Sequence, residues 1–160
     1  MRAVAHIDGG ARPTNPGHAG FAVVIHLYPG GTMHLLSRYI GWRTNNAAEY
    51  FALITAIKYA KALGAQELEV RSDSRLVVEQ VQGRWRVREE SLRPLQREAR
   101  ELLAQLFPSA WSLDWVSRED NVQADQICGE AIQAGRFRNP WLRRHLKDKS
   151  SGNIVDPFDP

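Results

Sequence analysis

The chain has 160 residues, of which 43% are hydrophobic and 24% charged, values that are ordinary for one globular domain. It contains no apolar run near the roughly 20 residues that cross a bilayer, and its first residues lack the apolar stretch of a secretory signal. The single cysteine, Cys128, excludes an internal disulfide and a thiolate metal cluster. We therefore expect a cytoplasmic protein without a membrane partner.

The basic residues are strongly biased towards arginine. Lys and Arg number 21 against 18 Asp and Glu, a net charge of +3, and 17 of the 21 are arginine. Because the planar guanidinium pairs well with phosphate, this bias permits a nucleic-acid partner. It does not require one, since base composition or thermal adaptation also enriches arginine.

The first forty residues predict an antiparallel meander. Strands are expected over 3–8, 21–28 and 32–40. A loop rich in Gly, Pro and Asn runs through Gly20, and Pro29-Gly30-Gly31 forms the second connection.

The remaining elements alternate between helix and strand. Helical spacing of apolar residues and the positions of Gly64, Gly83 and Pro94 predict the boundaries. The expected elements are a helix over 46–63, a strand over 67–72, helices over 74–82 and 91–107, a strand over 111–117 and a helix over 121–134. This order predicts an α/β fold, a five-stranded mixed sheet flanked by helices.

Four carboxylates stand at boundaries of these elements. Asp8 ends the first strand and Asp73 the fourth, while Glu49 and Asp125 lie near the starts of two helices. If the first, fourth and fifth strands are adjacent and parallel, their carboxyl ends share one edge of the sheet. We therefore expect the four side chains to converge in one cleft.

Four carboxylates in one cleft need a compensating positive charge, because like charges repel strongly at short distance. All-oxygen ligands suit Mg²⁺ or Mn²⁺ rather than zinc. Two such ions about 4 Å apart can hold the attacking and leaving oxygens of a phosphodiester. The pattern therefore predicts metal-dependent phosphodiester hydrolysis. Each acid alone also fits a capping role, and Asn46 with Glu49 is similar to a capping box.

Five short motifs follow one another in a distinctive order. They are Ile7-Asp8-Gly9-Gly10, Asn15-Pro16-Gly17, Thr44-Asn45-Asn46-Ala47-Ala48-Glu49, Ser72-Asp73-Ser74, and the run from Arg118 to Asp125. Together they resemble type 1 ribonuclease H from about residue 3 to residue 134. The resemblance implies a ribonuclease H-like fold and an endonuclease that hydrolyses the RNA strand of RNA–DNA hybrids by two-metal-ion catalysis, leaving 3′-hydroxyl and 5′-phosphate ends. It also implies that Asp8, Glu49, Asp73 and Asp125 are catalytic, metal-binding residues for two Mg²⁺ or Mn²⁺ ions.

The loop before the last helix departs from many members of that family. They carry a catalytic histidine there, whereas this chain has Arg118, as in a branch found among bacteria and archaea. Arginine cannot shuttle protons at neutral pH, so we expect Arg118 to orient the scissile or leaving phosphate. An ordinary surface arginine is the alternative.

A second departure lies after the second predicted helix. Some relatives have a basic, Trp-rich helical protrusion there that grips the hybrid, but here only residues 83–90 separate two helices. We expect affinity for the hybrid to come from scattered arginines. Trp85 is either a platform for the DNA strand or a core residue.

Further contacts to the hybrid follow from the resemblance and from the need to recognise the 2′-hydroxyl group of RNA. The amides of Asn15 and Asn45 suit the minor groove, and Thr44 and Asn46 suit the DNA strand, although Asn46 also fits an N-cap role. The expected substrate-binding residues are Gly9, Gly10, Asn15, Thr44, Asn45, Asn46, Arg75 and Trp85.

The expected domain organisation is a ribonuclease H catalytic domain over residues 1–146 and a C-terminal tail over 147–160. Ile154–Phe158 is expected to dock on the domain and stabilise it, with a floating terminus as the alternative. We expect a monomer. The alternative functions are a broader nuclease that also cuts double-stranded RNA and a catalytically silent nucleic-acid-binding module.

Overall fold

The structure, a computed structural model, describes residues 1–138, with side chains as far as residue 136. The strands are β1 (Arg2–Arg12), β2 (Gly17–Tyr28), β3 (Met33–Arg43), β4 (Glu67–Ser72) and β5 (Trp111–Trp115). The helices are α1 (Asn45–Ala62), α2 (Arg75–Val81), α3 (Arg93–Leu106) and α4 (Val122–Arg138). Short 3₁₀ turns at Glu90–Leu92 and Arg118–Asn121 precede α3 and α4.

The five strands form one mixed sheet in the order β3-β2-β1-β4-β5. β1 pairs antiparallel with β2, and β2 with β3. β4 pairs parallel with β1 on one side and with β5 on the other. The predicted architecture is confirmed, including the adjacent parallel arrangement of the first, fourth and fifth strands, which helical crossovers produce.

The predicted loop between the first two strands is too long. Residues 9–12 and 17–20 belong to β1 and β2, whose pairing continues through Gly10↔Gly20 to Arg12↔His18 and leaves only residues 13–16 as the connection. The glycines here allow close packing and do not break the strands: a Cβ added to Gly9 would lie 2.4 Å from the backbone of Ala48. Asp8 therefore lies inside β1 and not at its end.

The boundaries near the carboxyl end of the described chain also differ from prediction. The fifth strand ends at Trp115 rather than at residue 117, because the chain turns into the 3₁₀ segment that leads to α4. α4 extends to Arg138, four residues beyond the predicted end. α3 begins at Arg93 with Pro94 in its first turn, where a missing N–H is tolerated.

Helices cover both faces of the sheet, and the side chains of β2 alternate between the two faces. Phe21, Val23 and Ile25 join the main core with α1, whereas the intervening Ala22 packs with Cys128 and Ile132 of α4. This alternation follows from the period of two along a strand. Cys128 is fully buried as a small core residue, and burial raises the pKa of its thiol.

The predicted tail over 147–160, the docking of Ile154–Phe158 and the boundary at residue 146 lie outside the described residues. Within residues 1–138, every helix is too short or too polar to cross a membrane.

Candidate active site

All four predicted carboxylates line one open pocket of about 480 Å³. It lies at the edge of the sheet where β4 and β5 end, as expected for a parallel arrangement. The lining residues are Asp8, Gly9, Gly10, Ala11, Arg12, Asn45, Asn46, Glu49, Asp73, Ser74, Trp115, Arg118 and Asp125.

The parallel register of β1 and β4 places Asp8 beside Asp73. Ile7 pairs with Ser72, so the two aspartates follow paired residues at the point where β4 ends. Ser72 is buried, and its hydroxyl oxygen accepts a hydrogen bond of 3.0 Å from the Ser74 N–H, which shapes the turn into α2. Asp73 therefore projects from a constrained turn.

Glu49 reaches the pocket from the first turns of α1. Its backbone lies against Gly9, where an added Cβ would be 2.4 Å from the Glu49 nitrogen. This contact between strand and helix, which only glycine permits, brings the Glu49 carboxylate to Asp8. Oxygen atoms of Asp8, Glu49 and Asp73 lie within 4.8 Å of one another.

Asp125 completes the pocket from the first turn of α4. Its carboxylate lies 3.8 Å from the guanidinium of Arg12, which reaches across from the end of β1. Asp125 thus belongs to the same acidic pocket, but it stands outside the tight cluster of three carboxylates.

Burial and mutual repulsion make the three clustered carboxyl groups resist ionisation. Burial, followed by the charges of Asp73 and Asp125, raises the pKa of Asp8 to about 7. Burial and the charges of Asp8 and Asp73 raise the pKa of Glu49 well above its usual value, although the Gly9 N–H opposes this. Burial also raises the pKa of Asp73, against the lowering effect of the Arg118 charge. The pocket therefore favours a cation.

The donor atoms fit a divalent cation. Oε2 of Glu49 is buried without a hydrogen-bond partner among the described residues, which is costly unless a ligand satisfies it. The cluster offers carboxylate oxygens only, the ligand type that Mg²⁺ and Mn²⁺ prefer. Asp8, Glu49 and Asp73 could hold such an ion.

Hydrogen bonds of the Asn15 and Asn45 side chains join the end of β1 and the following turn to the start of α1. Oδ1 of Asn45 accepts a hydrogen bond of 2.6 Å from the Ala11 N–H, and Oδ1 of Asn15 accepts one of 2.9 Å from the Asn45 N–H. Both side-chain oxygens are thus used within the protein. Their NH₂ groups, which make no hydrogen bond within the described part of the chain, remain as donors.

Thr44 and Asn46 differ in their local roles. Thr44 is the N-cap of α1, because its hydroxyl oxygen accepts a hydrogen bond of 3.2 Å from the Ala47 N–H. The capping alternative for Asn46 is therefore wrong, and its side chain lines the pocket instead.

The other predicted contacts lie outside the pocket lining, as Asn15 and Thr44 also do. The guanidinium of Arg75 stacks 4.6 Å over the ring of Trp115 and lies 3.7 Å from Glu79. Trp85 follows α2 and is 48% exposed, so its interpretation as a core residue is wrong.

Three residues around the carboxylates were not predicted from the sequence: Arg12, Trp115 and Asn121. Nδ2 of Asn121 donates a hydrogen bond of 2.8 Å to the Ile7 carbonyl, and its side-chain hydrogen bond to Asp73 lowers the pKa of that carboxyl. The available sequence signal for Asn121 was an Asn directly before a predicted helix. Arg12 was missed because it fell in the predicted loop that runs through Gly20.

Comparison with known proteins identifies relatives of this architecture. Residues 6–131 match a family model described as reverse transcriptase-like. The N-terminal RNase H domain of a Mycobacterium tuberculosis protein superposes with a TM-score of 0.79 and 38% identity, over 86% of this chain and 98% of that one. RNase H1 of the archaeon Halobacterium salinarum gives 0.78 and 39%, over 84% and 99%.

A third solved structure is a complex. LC11-RNase H1 with an RNA/DNA hybrid gives a TM-score of 0.76 and 38% identity, over 83% of this chain and 98% of that one. Among curated proteins, the bifunctional M. tuberculosis protein is 40% identical over 135 residues, 84% of this chain. The chain spans only 36% of that relative's length.

Proposed function

Since this chain belongs to the type 1 ribonuclease H family, we propose that it is an endonuclease that hydrolyses the RNA strand of RNA–DNA hybrids. The observation that carries the proposal is the cluster of Asp8, Glu49 and Asp73, whose oxygens lie within 4.8 Å of one another in an open pocket. The relative LC11-RNase H1 was solved with an RNA/DNA hybrid, which supports the same substrate class.

Asp8, Glu49 and Asp73 are the proposed ligands of a divalent cation, with Asp125 as a further ligand beside them. Two bound Mg²⁺ or Mn²⁺ ions would supply Lewis-acid stabilisation of the charge that develops on the phosphodiester. The protein holds these oxygens in place before substrate arrives, through the Gly9 contact with α1 and the pairing of β1 with the end of β4.

Arg118 is proposed to orient the scissile or leaving phosphate. Its side chain is exposed at the pocket, and its charge acts on Asp73. A guanidinium is well suited to two phosphate oxygens and stays protonated throughout the reaction. Its role is therefore to position and stabilise charge, while proton transfer falls to other groups.

Recognition of the RNA strand is assigned to donors around the pocket. The backbones of Gly9 and Gly10 and the NH₂ groups of Asn15 and Asn45 are proposed to contact 2′-hydroxyl and minor-groove atoms. Asn46 is proposed to contact the DNA strand, with Thr44 fixing the start of α1 beside it. Arg75 and Trp85 extend the proposed contacts along α2.

One assay tests the proposal directly. Labelled RNA–DNA hybrid, double-stranded RNA and double-stranded DNA are each incubated with the protein and with Mg²⁺, Mn²⁺ or a chelator. We expect cleavage of the RNA strand of the hybrid with either metal, none with the chelator, and intact double-stranded DNA. Cleavage of double-stranded RNA at a similar rate would indicate the broader nuclease. Binding without cleavage of any substrate would indicate a silent module and overturn the enzymatic proposal.

A further inference from the structure

Four of the arginines after α2 line one surface, whereas scattered arginines were expected. Six arginines lie between residues 84 and 100. A cavity of about 540 Å³ is lined by Arg86, Arg93, Arg97 and Arg100, with Trp85 and without any carboxylate. We call this surface the arginine patch, meaning Arg86, Arg93, Arg97 and Arg100.

Three members of the arginine patch stand on one stripe of α3. Arg93, Arg97 and Arg100 follow the i, i+4, i+7 spacing and are all exposed. Like charges at this spacing destabilise an isolated helix. No carboxylate lies within 4.0 Å of these side chains within residues 1–136, whereas Arg84 nearby is paired with Glu79. The stripe therefore holds positive charge that the described protein does not neutralise.

A groove along α2 leads from the arginine patch towards the catalytic pocket. Ser74 lines the pocket, and Leu76, two residues further along the chain, lines the groove together with Gln80, Trp85, Arg86 and Glu89. Trp85 and Arg86 then line both this groove and the cavity of the patch. The stripe from Arg93 to Arg100 is about 10 Å long at the rise of an α-helix, enough for several phosphates of one strand.

From this charge, this exposure and the groove that leads from the patch along α2, we infer that the arginine patch binds the phosphate backbone of the hybrid outside the catalytic pocket. The inference rests on the proposed function for the identity of the duplex. Phosphodiester oxygens complement four guanidinium groups that have no acidic partner among residues 1–136, and the half-exposed indole of Trp85 offers a flat surface beside them. The patch adds affinity and does not touch the reacting phosphate.

The test compares two double variants with equal loss of charge. R93Q/R97Q removes two arginines of the patch, and glutamine keeps helix propensity. The matched control, R2Q/K61Q, removes one cation at the amino end of β1 and one in the last turn of α1, both outside the pocket lining. Binding of a fluorescein-labelled hybrid is followed by anisotropy in a chelator, over a series of salt concentrations, with circular dichroism as the check on folding.

We expect R93Q/R97Q to weaken hybrid binding by at least about tenfold at moderate salt and to reduce the slope of log K against log salt by about 2. The control should change binding less than about twofold. R93K/R97K should keep the wild-type slope. In cleavage assays R93Q/R97Q should raise KM and leave kcat unchanged, since the patch lies away from the reacting atoms.

Equal binding by R93Q/R97Q and R2Q/K61Q would overturn the inference. So would a loss of affinity for double-stranded DNA or RNA without a loss for the hybrid, which would assign the patch to another nucleic acid. The anisotropy measurement needs no turnover. A wild-type protein that binds the hybrid without cutting it would therefore refute the proposed activity and still decide the role of the patch.

Discussion

The indole N–H of Trp115 donates a hydrogen bond of 3.1 Å to the main-chain oxygen of Asp73. The Val116 N–H also donates to the Ser72 oxygen at 2.9 Å, so the end of β5 holds both sides of the turn that carries the Asp73 carboxylate. Arg75 stacks on the same indole. Trp115 is therefore a positioning residue for Asp73, although its ring also lines the pocket.

Replacing Trp115 by Phe keeps an aromatic ring but removes the N–H donor. We expect kcat to fall several-fold, and the Mg²⁺ concentration for half-maximal activity to rise, because Asp73 is held less firmly. Stability should fall by about 1 kcal/mol, the usual contribution of one hydrogen bond. Trp111→Phe, at the other end of β5, is the control. If both variants show the same Mg²⁺ dependence, the bond to Asp73 has no role in metal binding.

The positions of Asp8 and Asp73 were predictable because their environment follows from topology. Parallel strands joined by helices bring their carboxyl ends to one edge, and this rule needs only the order of elements. The positions of Glu49 and Asp125 were predictable because both residues lie close to the start of a helix. Such local and topological features can be predicted from a sequence pattern.

The supporting contacts were not predictable in the same way. The bond between Asn45 and the Ala11 N–H joins residues 34 positions apart, and no local pattern marks it. Arg12 was assigned to a loop because Gly9 and Gly10 were taken as chain breakers, whereas both lie within β1 and Gly9 packs closely against α1. The exposure of Trp85 depends on the course of the chain between α2 and α3, and composition alone does not determine that course.

Arg118 gives a prediction that separates charge from proton transfer. Arg118→Ala should lower kcat by about tenfold to a hundredfold, the usual effect of removing one group that stabilises transition-state charge, with a smaller effect on KM. The Arg118 charge lowers the pKa of Asp73, so its removal should raise that pKa and move the acidic limb of the pH–rate profile to higher pH.

Arg118→Lys is the matched control, since lysine retains the positive charge and lacks the planar guanidinium group. It should keep the acidic limb in place while kcat recovers only in part. Equal turnover by wild type and Arg118→Ala would show that Arg118 is an ordinary loop residue.

Gly9 and Gly10 provide a paired test of the contact between β1 and α1. A Cβ on Gly9 would lie 2.4 Å from backbone atoms of Ala48 and Glu49, whereas one on Gly10 would meet only the Ile132 side chain at 3.9 Å. Gly9→Ala should therefore destabilise the protein by more than about 2 kcal/mol, as overpacking against backbone does. Gly10→Ala should stay within about 0.5 kcal/mol. Thermal unfolding measures both, and equal melting temperatures would show that α1 moves aside freely.

In the absence of metal, the stability of the protein should depend on pH through Asp8. The pKa of Asp8 is about 7 in the folded protein and about 3.9 in an unfolded chain. Between these values the folded state holds a proton that the unfolded state has released. The free energy of unfolding should therefore fall as pH rises from about 4 to about 7, by up to about 4 kcal/mol, and then remain level.

Asp8→Asn removes this titration and one negative charge from the cluster. In a chelator, the melting temperature of Asp8→Asn should change less between about pH 5 and about pH 8 than that of wild type. At about pH 8, the melting temperature of Asp8→Asn should equal or exceed that of wild type. Asp73→Asn should behave similarly, because it relieves the same repulsion, and both variants should lose cleavage by orders of magnitude.

Added Mg²⁺ should stabilise wild type at about pH 8 far more than either variant, since binding favours the ionised cluster. Asp114→Asn, on an exposed acid of β5 outside the pocket lining, is the control and should keep wild-type behaviour. A wild-type melting temperature that rises through this pH range in the chelator, with no response to Mg²⁺, would show that the three carboxylates do not repel one another and do not share a metal ion.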